Sequence, residues 1–356
     1  MKYLFTHTDL DGVGCAVLAK LAFGEDVRIT YCDYDYVDAI IHDFIDEVCL
    51  SEEENDKVFI TDISISNWLA EKIDECNARF YVRLMDHHKT AEYLNKYDWC
   101  EVTTHKENLL ETIPTCGTEL FYAYLTDMGY LSKGNKIIRE FVNFVRDYDT
   151  WRWKDFENGK PIKEFNDLLY ILGRDAFIER CMSRFKGNRH IVEFSKDERA
   201  MLDKRQAEID EYVINKSFEL DVHKVDGVLC GVVFAEKYFS ELGNRLCEEF
   251  KDTINFVMMI DMGKRVVHYR TIHDDVDVSE VAKAFGGGGH PPAAGNTFTR
   301  DQRWNVIDCI IDQMKQREER KHGMEELVDK MAEAIEIEKE QRSLKGRVKK
   351  LFGKGN

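Results

Sequence analysis

The residues in this chain best suited to chemistry are histidines and aspartates set at the ends of short apolar runs. His7-Thr8-Asp9-Leu10-Asp11-Gly12 follows directly on Tyr3-Leu4-Phe5-Thr6. In an extended turn, His7, Asp9 and Asp11 at alternate positions point the same way. One imidazole with two carboxylates is a ligand set for Mn²⁺, Mg²⁺ or Zn²⁺, and Gly12 lets the turn tighten into a helix. The competing reading is an N-capping aspartate beside a surface histidine. Asp62 closes the run 58–61; taken alone, an aspartate after a strand is usually a turn or a helix cap. Asp86-His87-His88 closes the run 80–85 and puts three metal- or phosphate-binding side chains in a row. Arg146-Asp147-Tyr148-Asp149 sets two acids at the carboxyl end of a helix, against its dipole, a cost that a bound cation would offset.

A fifth constellation lies far downstream, at Phe285-Gly286-Gly287-Gly288-Gly289-His290-Pro291-Pro292-Ala293-Ala294-Gly295. Four glycines let backbone amides approach an anion closely, and His290 can then contact a phosphate or a base. A flexible linker is the alternative, but a helix over 278–285 precedes the segment and an apolar Ala-Ala-Gly follows it. The other histidines, His42, His105, His190, His223, His268, His273 and His322, read as surface or packing residues, with His268 and His273 nearest to a site role. Trp151 and Trp153, and the tyrosines from Tyr31 to Tyr36, are able to stack bases, although core or interface packing is the commoner use. Two divalent ions about 3.5–4 Å apart activate a water near neutral pH and polarise a scissile phosphate, so no Ser, Cys or Lys nucleophile is needed.

The elements that must hold these residues alternate in type. Residues 3–7 form a strand, 13–23 a helix with Val13, Val17, Leu18 and Leu21 on one face, 27–32 a strand and 37–48 an amphipathic helix. A charged loop over 51–57 leads to the strand ending at Asp62, a helix over 67–76 and the strand ending at Asp86. This rhythm predicts a parallel sheet, with ligands bound off the carboxyl ends of its strands. Helices follow over 117–128 and 136–147. The charged stretch 193–215, without Gly or Pro, predicts a helical connector. Strands over 228–234, 254–261 and 265–271, with a helix near 239–250, predict a smaller α/β domain. A last helix over 301–314 buries Trp304, Ile307, Ile310, Ile311 and Met314. Residues 341–356 carry Arg and Lys but no acid, either a solvated tail or a basic arm touching nucleic acid or a partner.

The chain has 356 residues, enough for about two domains with a core that needs no staples. Mean hydropathy is −0.45, and no run of 18 apolar residues exists, which excludes a helical membrane span. The start lacks an apolar signal core. The ten cysteines include no Cys-x-x-Cys pair and suit reduced, buried thiols. Both features predict a cytoplasmic protein. Fifty Lys and Arg against 67 Asp and Glu give a net charge of −17. Such a chain repels long duplex nucleic acid overall, yet acidic residues that hold divalent metal reconcile it with a short phosphate substrate.

Taken together, His-x-Asp-x-Asp-Gly, a lone strand-end Asp62, Asp86-His87-His88, the later Asp149 and Gly-Gly-Gly-His resemble the DHH phosphoesterases with their DHH-associated C-terminal domain, across roughly residues 1–300. The segments 5–15 and 148–151 are most similar to the NrnB-type branch of bacterial oligoribonucleases, the nanoRNases. The resemblance implies an α/β fold: a parallel-sheet DHH metal-binding domain over 1–190, a connector over 191–216, a DHH-associated substrate domain over 217–314 facing it across a cleft, and a charged tail over 315–356. It implies two divalent ions, Mn²⁺ ahead of Mg²⁺ or Co²⁺. His7, Asp9 and Asp62 would hold one; Asp11, Asp62, His87 and Asp149 the other, with Asp62 bridging. Asp86 would orient the ligands and His88 face the phosphate. Arg270, Gly287, Gly288, Gly289 and His290 would grip the substrate, with Tyr269 and Thr271 standing where relatives often carry Ser. The implied activity is exonucleolytic hydrolysis of short RNA to mononucleotides. The alternatives are single-stranded DNA, linear or cyclic dinucleotides, or 3′-phosphoadenosine 5′-phosphate as substrate, and a nucleotide-binding sensor with a dead metal site. No membrane partner is expected, and a homodimer is left open.

Overall fold

In the computed structural model of the chain, the described residues are 1–50, 56–76, 80–107, 112–225, 227–299 and positions 330, 331, 333 and 336. The chain divides into two compact units, Met1–Tyr212 and Val213–Asn356.

The first unit alternates β1 (Lys2–Thr6), α1 (Leu10–Phe23), β2 (Val27–Tyr31), α2 (Val37–Leu50), β3 (Lys57–Thr61), α3 (Asn67–Cys76) and β4 (Tyr81–Asp86), and then adds β5 (Cys100–Val102). The five strands pair in parallel in the order β2-β1-β3-β4-β5. Parallel neighbours need long crossovers, which the helices supply, so every strand ends along the same edge. Both faces of the sheet are covered, which is why its central strands β1 and β3 are largely apolar. Along β3, Phe59 joins the core of Leu4, Met85 and α1, while Val58 and Ile60 face Ile41, Ile45, Leu69 and Ile73 on the other side.

A hairpin of β6 (His105–Glu107) and β7 (Thr112–Pro114) precedes four helices: α4 (Gly117–Asp127), α5 (Lys136–Asp149), α6 (Lys160–Leu172) and α7 (Arg174–Lys186). Because α4, α5 and α7 pack on α1, which also lies on β1 and β2, α1 is buried continuously from Leu10 to Ala19. The single buried face expected from Val13, Val17, Leu18 and Leu21 is therefore too narrow. The long helix α8 (Lys196–Phe218) spans the division between the units.

The second unit holds β8 (Asp221–Val225), β9 (Val228–Phe234), α9 (Phe239–Glu249), β10 (Phe256–Asp261), β11 (Val266–Arg270), α10 (Val278–Ala284), β12 (Gly288–His290) and β13 (Ala293–Thr297). Its sheet runs β12-β13-β11-β10-β9-β8, with only β9 and β10 parallel. Three strands were expected and six are present. The glycine-rich segment, expected as an anion-binding loop, ends in the hairpin strand β12. A Cβ on Gly287 would meet the Gly295 carbonyl oxygen at 2.1 Å, and one on Gly289, whose φ is +142°, the Ala293 carbonyl oxygen at 2.5 Å. The close approach of two backbones therefore demands glycine at these positions without any ligand. The helix expected over 301–314 and the basic segment 341–356 lie outside the described residues.

Candidate metal centre

Three adjacent strands deliver polar residues to one edge. His7 follows β1, Asp62 follows β3, and Asp86, His87 and His88 end and follow β4. Asp9 and Asp11 arrive with the start of α1. Asp9 caps that helix, its Oδ1 accepting the Asp11 and Gly12 amides at 3.1 Å each, an arrangement worth about 1 kcal/mol. The cap starts the helix at Leu10, so the extended turn predicted from His7 to Asp11 is corrected: Asp11 sits in the first helical turn. Both aspartates nevertheless join the cluster. Asp9 Oδ2 lies 3.0 Å from His7 Nδ1, and Asp11 Oδ2 lies 3.7 Å from His87 Nε2. The Asp11 carboxylate is fixed by the Gly117 and Thr118 amides at 2.6 and 2.7 Å, at the start of α4.

Asp62 stands between the two halves of the cluster. Its Oδ1 is 3.4 Å from His87 Nε2 and its Oδ2 is 3.9 Å from His7 Nδ1. Its backbone is left-handed, with φ 55°, a conformation uncommon outside glycine but tolerated by aspartate. Gly117 makes room for it, since a Cβ there would lie 2.6 Å from Asp62 Cβ. Asp149, the last residue of α5, brings Oδ2 to 3.5 Å from His87 Nε2. Of the two acids in that segment only Asp149 takes part; Asp147 accepts from Arg146 Nε and Nη2 at 3.0 and 2.9 Å.

The electrostatics are those of a site built for cations. Among the described residues, Asp9, Asp11, Asp62 and Asp149 pair with no lysine or arginine. Burial, reinforced by the Asp11 and Asp9 carboxylates, pushes both Asp62 and Asp149 well above the carboxylate range. Burial also pushes Asp9 upward, but His7 and the Gly12 amide outweigh it and hold Asp9 below that range. Burial lowers His87, and the neighbouring His88 adds to the effect. Asp62 Oδ2 and His87 Nε2 are buried without a hydrogen-bond partner among the described residues. Unpaired like charges in a buried place cost several kcal/mol unless a counter-ion joins them. Ligand atoms of His7, Asp9 and Asp62, and of Asp11, His87 and Asp149, lie within 4.8 Å of one another in each group. Hard oxygens with imidazoles, and no thiolate, fit divalent ions such as Mn²⁺ or Mg²⁺.

Asp86 and His88 pair with each other, and with Asp62 and His87 they offer a further group of ligand atoms within 4.8 Å of one another. His88 Nδ1 lies 2.7 Å from Asp86 Oδ1, the Ser64 hydroxyl donates to Asp86 Oδ2, and the His87 amide donates to Asp86 Oδ1 at 2.8 Å. Burial works against a charge on His88, but Asp86 prevails and raises it to about 9. One neighbour was singled out only as part of a stretch of tyrosines: Tyr34, whose hydroxyl lies 3.1 Å from His88 Nε2 and whose ring centroid lies 4.9 Å from that of His7.

In the second unit, Arg270 and His290 both stand in register with Ala293, on either side of it, and so share a row and a face of the sheet. Arg270 Nη1 donates to the Tyr269 carbonyl at 2.9 Å, and Nη2 to Ser240 Oγ at 3.3 Å. His268 stacks on Phe239 with centroids 4.0 Å apart, and His273 Nε2 lies 3.2 Å from the Ile254 carbonyl, so both serve packing.

Residues 2–145 match the model of the DHH family, N-terminal domain, and residues 233–318 match that of the DHHA1 domain. The chain is 37% identical over 300 residues to oligoribonuclease NrnB of Bacillus subtilis, covering 84% of this chain and 73% of that protein. It is 23% identical over 188 residues to a 3′,5′-cyclic-nucleotide phosphodiesterase of Helicobacter pylori, covering 49% of this chain and 51% of the relative. Among solved structures it resembles a pGpG-specific phosphodiesterase from Vibrio, at TM-score 0.45 and 14% identity, over 89% of this chain and 99% of that one.

Proposed function

This chain belongs to the DHH family of phosphoesterases, and on that footing we propose that it is a metal-dependent exoribonuclease that hydrolyses short oligoribonucleotides to mononucleotides. One observation carries the reading: His7, Asp9, Asp11, Asp62, His87 and Asp149 converge at the carboxyl edge of the sheet, buried or half-buried, with their carboxylates repelling one another. His7, Asp9 and Asp62 are proposed to hold one divalent ion and Asp11, Asp62, His87 and Asp149 the other, Mn²⁺ ahead of Mg²⁺ or Co²⁺. Bound there, such ions supply an acidified water and polarise the phosphoryl oxygens.

The chain's own residues do the rest. Two amides hold Asp11 rigid, and the Asp9 cap fixes the turn that presents His7. Asp86 holds His88 through Nδ1 and so orients its ring, which is assigned to face the phosphate. Residues 1–190 thus carry the metal chemistry. Arg270 and His290, in one row of the second sheet, are assigned to substrate gripping within residues 217–314, together with Gly287, Gly288 and Gly289. Net charge −17 favours short chains, because few phosphates need contact. Of the eight cysteines whose side chains are described, seven are buried as free thiols, in keeping with the proposed cytoplasmic location. No helix among the described residues is long and apolar enough to cross a membrane.

The test is a time course with Mn²⁺ on end-labelled RNA and DNA from two to about twenty nucleotides, with 3′,5′-cyclic mononucleotides and chelator controls alongside. Chelator-sensitive release of mononucleotides, fastest from the shortest RNA, is expected. Faster turnover of long DNA or of a cyclic nucleotide would replace the substrate, and no turnover of any of them would remove the enzyme.

A further inference from the structure

We infer that Tyr34 is a positioning residue for His88, an inference that rests on the proposed phosphodiesterase reading and deepens it. Tyr34 lies in the loop between β2 and α2. That loop is tethered on both sides: Cys32 N donates to the Thr6 carbonyl at 2.8 Å, Asp33 Oδ1 accepts the Tyr34 amide at 2.8 Å, and the Asp33 carbonyl accepts the Tyr36 and Val37 amides at 3.0 Å each. β2 is the edge strand, and His88 follows β4, three places along the sheet. To reach it, the Tyr34 side chain crosses the ends of β1 and β3. Its ring lies tilted at 48° against His7, and edge-on to His88 at 87°.

The contact completes a chain of three groups. Asp86 Oδ1 holds Nδ1 of His88 at 2.7 Å, and the Tyr34 hydroxyl holds Nε2 at 3.1 Å. The Asp86 contact at Nδ1 and the Tyr34 contact at Nε2 hold the imidazole at both nitrogens, with the His87 ring centroid 4.4 Å away. A phenol donates or accepts, so it serves either protonation state of Nε2. Core packing does not explain the placement, because Tyr34 remains 52% exposed. The side chain gains little from burial where it is, and its contacts are with a proposed metal ligand and the proposed phosphate-facing histidine.

The experiment is a double-mutant cycle of Tyr34→Phe and His88→Ala on a diribonucleotide at saturating Mn²⁺, with side-chain ¹⁵N spectra of the histidines recorded on the Mg²⁺-loaded full chain. Tyr34→Phe keeps the ring against His7 and removes only the hydroxyl, so it is expected to fold and bind metal like wild type. We expect it to lower kcat about tenfold, the worth of one positioned hydrogen bond, with KM within twofold. It is also expected to shift the Nε2 resonance of His88 while leaving those of His7 and His87 in place. In the His88→Ala background the same change should alter kcat less than twofold. A wild-type kcat in Tyr34→Phe, or an equal tenfold loss without His88, overturns the inference. If wild type hydrolyses no substrate, the enzymatic reading fails by itself. The spectra still decide the positioning: a shifted Nε2 resonance in Tyr34→Phe supports it and an unmoved one ends it.

Discussion

At the scale of single residues, Asp62 brings opposed demands together. Its side chain is buried, its φ is left-handed at 55°, and its oxygens face His7 on one side and His87 on the other. Burial and the neighbouring carboxylates raise its pKa well above the value in an unfolded chain. The sign of the consequence follows. The folded state takes up a proton that the unfolded state has released, so the metal-free protein loses stability as pH rises above the ordinary carboxylate range. Asp62→Asn keeps a residue that tolerates left-handed backbone and removes the charge. It should raise the melting temperature of the metal-free first unit, Met1–Tyr212, near pH 7 by about 2–4 °C, the shift that roughly 1–2 kcal/mol produces in a unit of that size. It should at the same time cost hydrolysis about a thousandfold, because a carboxylate serving two ions is lost. Calorimetry in chelator and turnover with excess Mn²⁺ check the two halves. Activity within tenfold of wild type would remove Asp62 from the site.

At the scale of elements, the site depends on helix starts laid against strand ends. The start of α4 donates two amides to Asp11, and Gly117 at the same place leaves room for Asp62. Gly117→Ala would push a methyl to 2.6 Å from Asp62 Cβ, so backbone must move. We expect a loss of about 1–3 kcal/mol in stability and at least a tenfold loss in Mn²⁺ affinity, read by chemical denaturation and titration calorimetry. Unchanged affinity would mean that this contact does not set the ligand geometry. Much of this layer was legible in the sequence. A strand buried on both faces reads as a continuous apolar run, as at 58–61, and the polar ends of such strands mark the edge proposed to bind ligands. The nearness of His7, Asp62 and His87 was legible only through the family resemblance, because it depends on the strand order β2-β1-β3-β4-β5, which no local pattern encodes. Asp62 looked like an ordinary turn residue for the same reason. β12 was hidden by its glycines, which carry no alternation. α6 was legible but not read: Pro161 in its first turn, with Ile162, Phe165, Leu168 and Leu169 behind it, is a helix signature. Tyr34 showed only as one of several tyrosines, since nothing in its neighbours tells which strand end it crosses.

At the scale of the whole molecule, the proposed reading assigns the two units different chemistry. Every proposed metal ligand lies before residue 150, and the proposed gripping groups lie after residue 260. His290→Ala removes a contact made with bound substrate and none of the metal ligands, so KM should rise about tenfold while kcat stays within threefold. A thousandfold fall in kcat at constant KM would assign His290 to the reaction itself. The central claim is that the ligand cluster of the first unit holds two divalent ions with Asp62 shared between them. Anomalous diffraction from crystals of the full chain grown with Mn²⁺, recorded on both sides of the manganese edge, tests it most directly. The account predicts two peaks, one among His7, Asp9 and Asp62 and one among Asp11, Asp62, His87 and Asp149. A single peak, or two peaks of which only one touches Asp62, would contradict it.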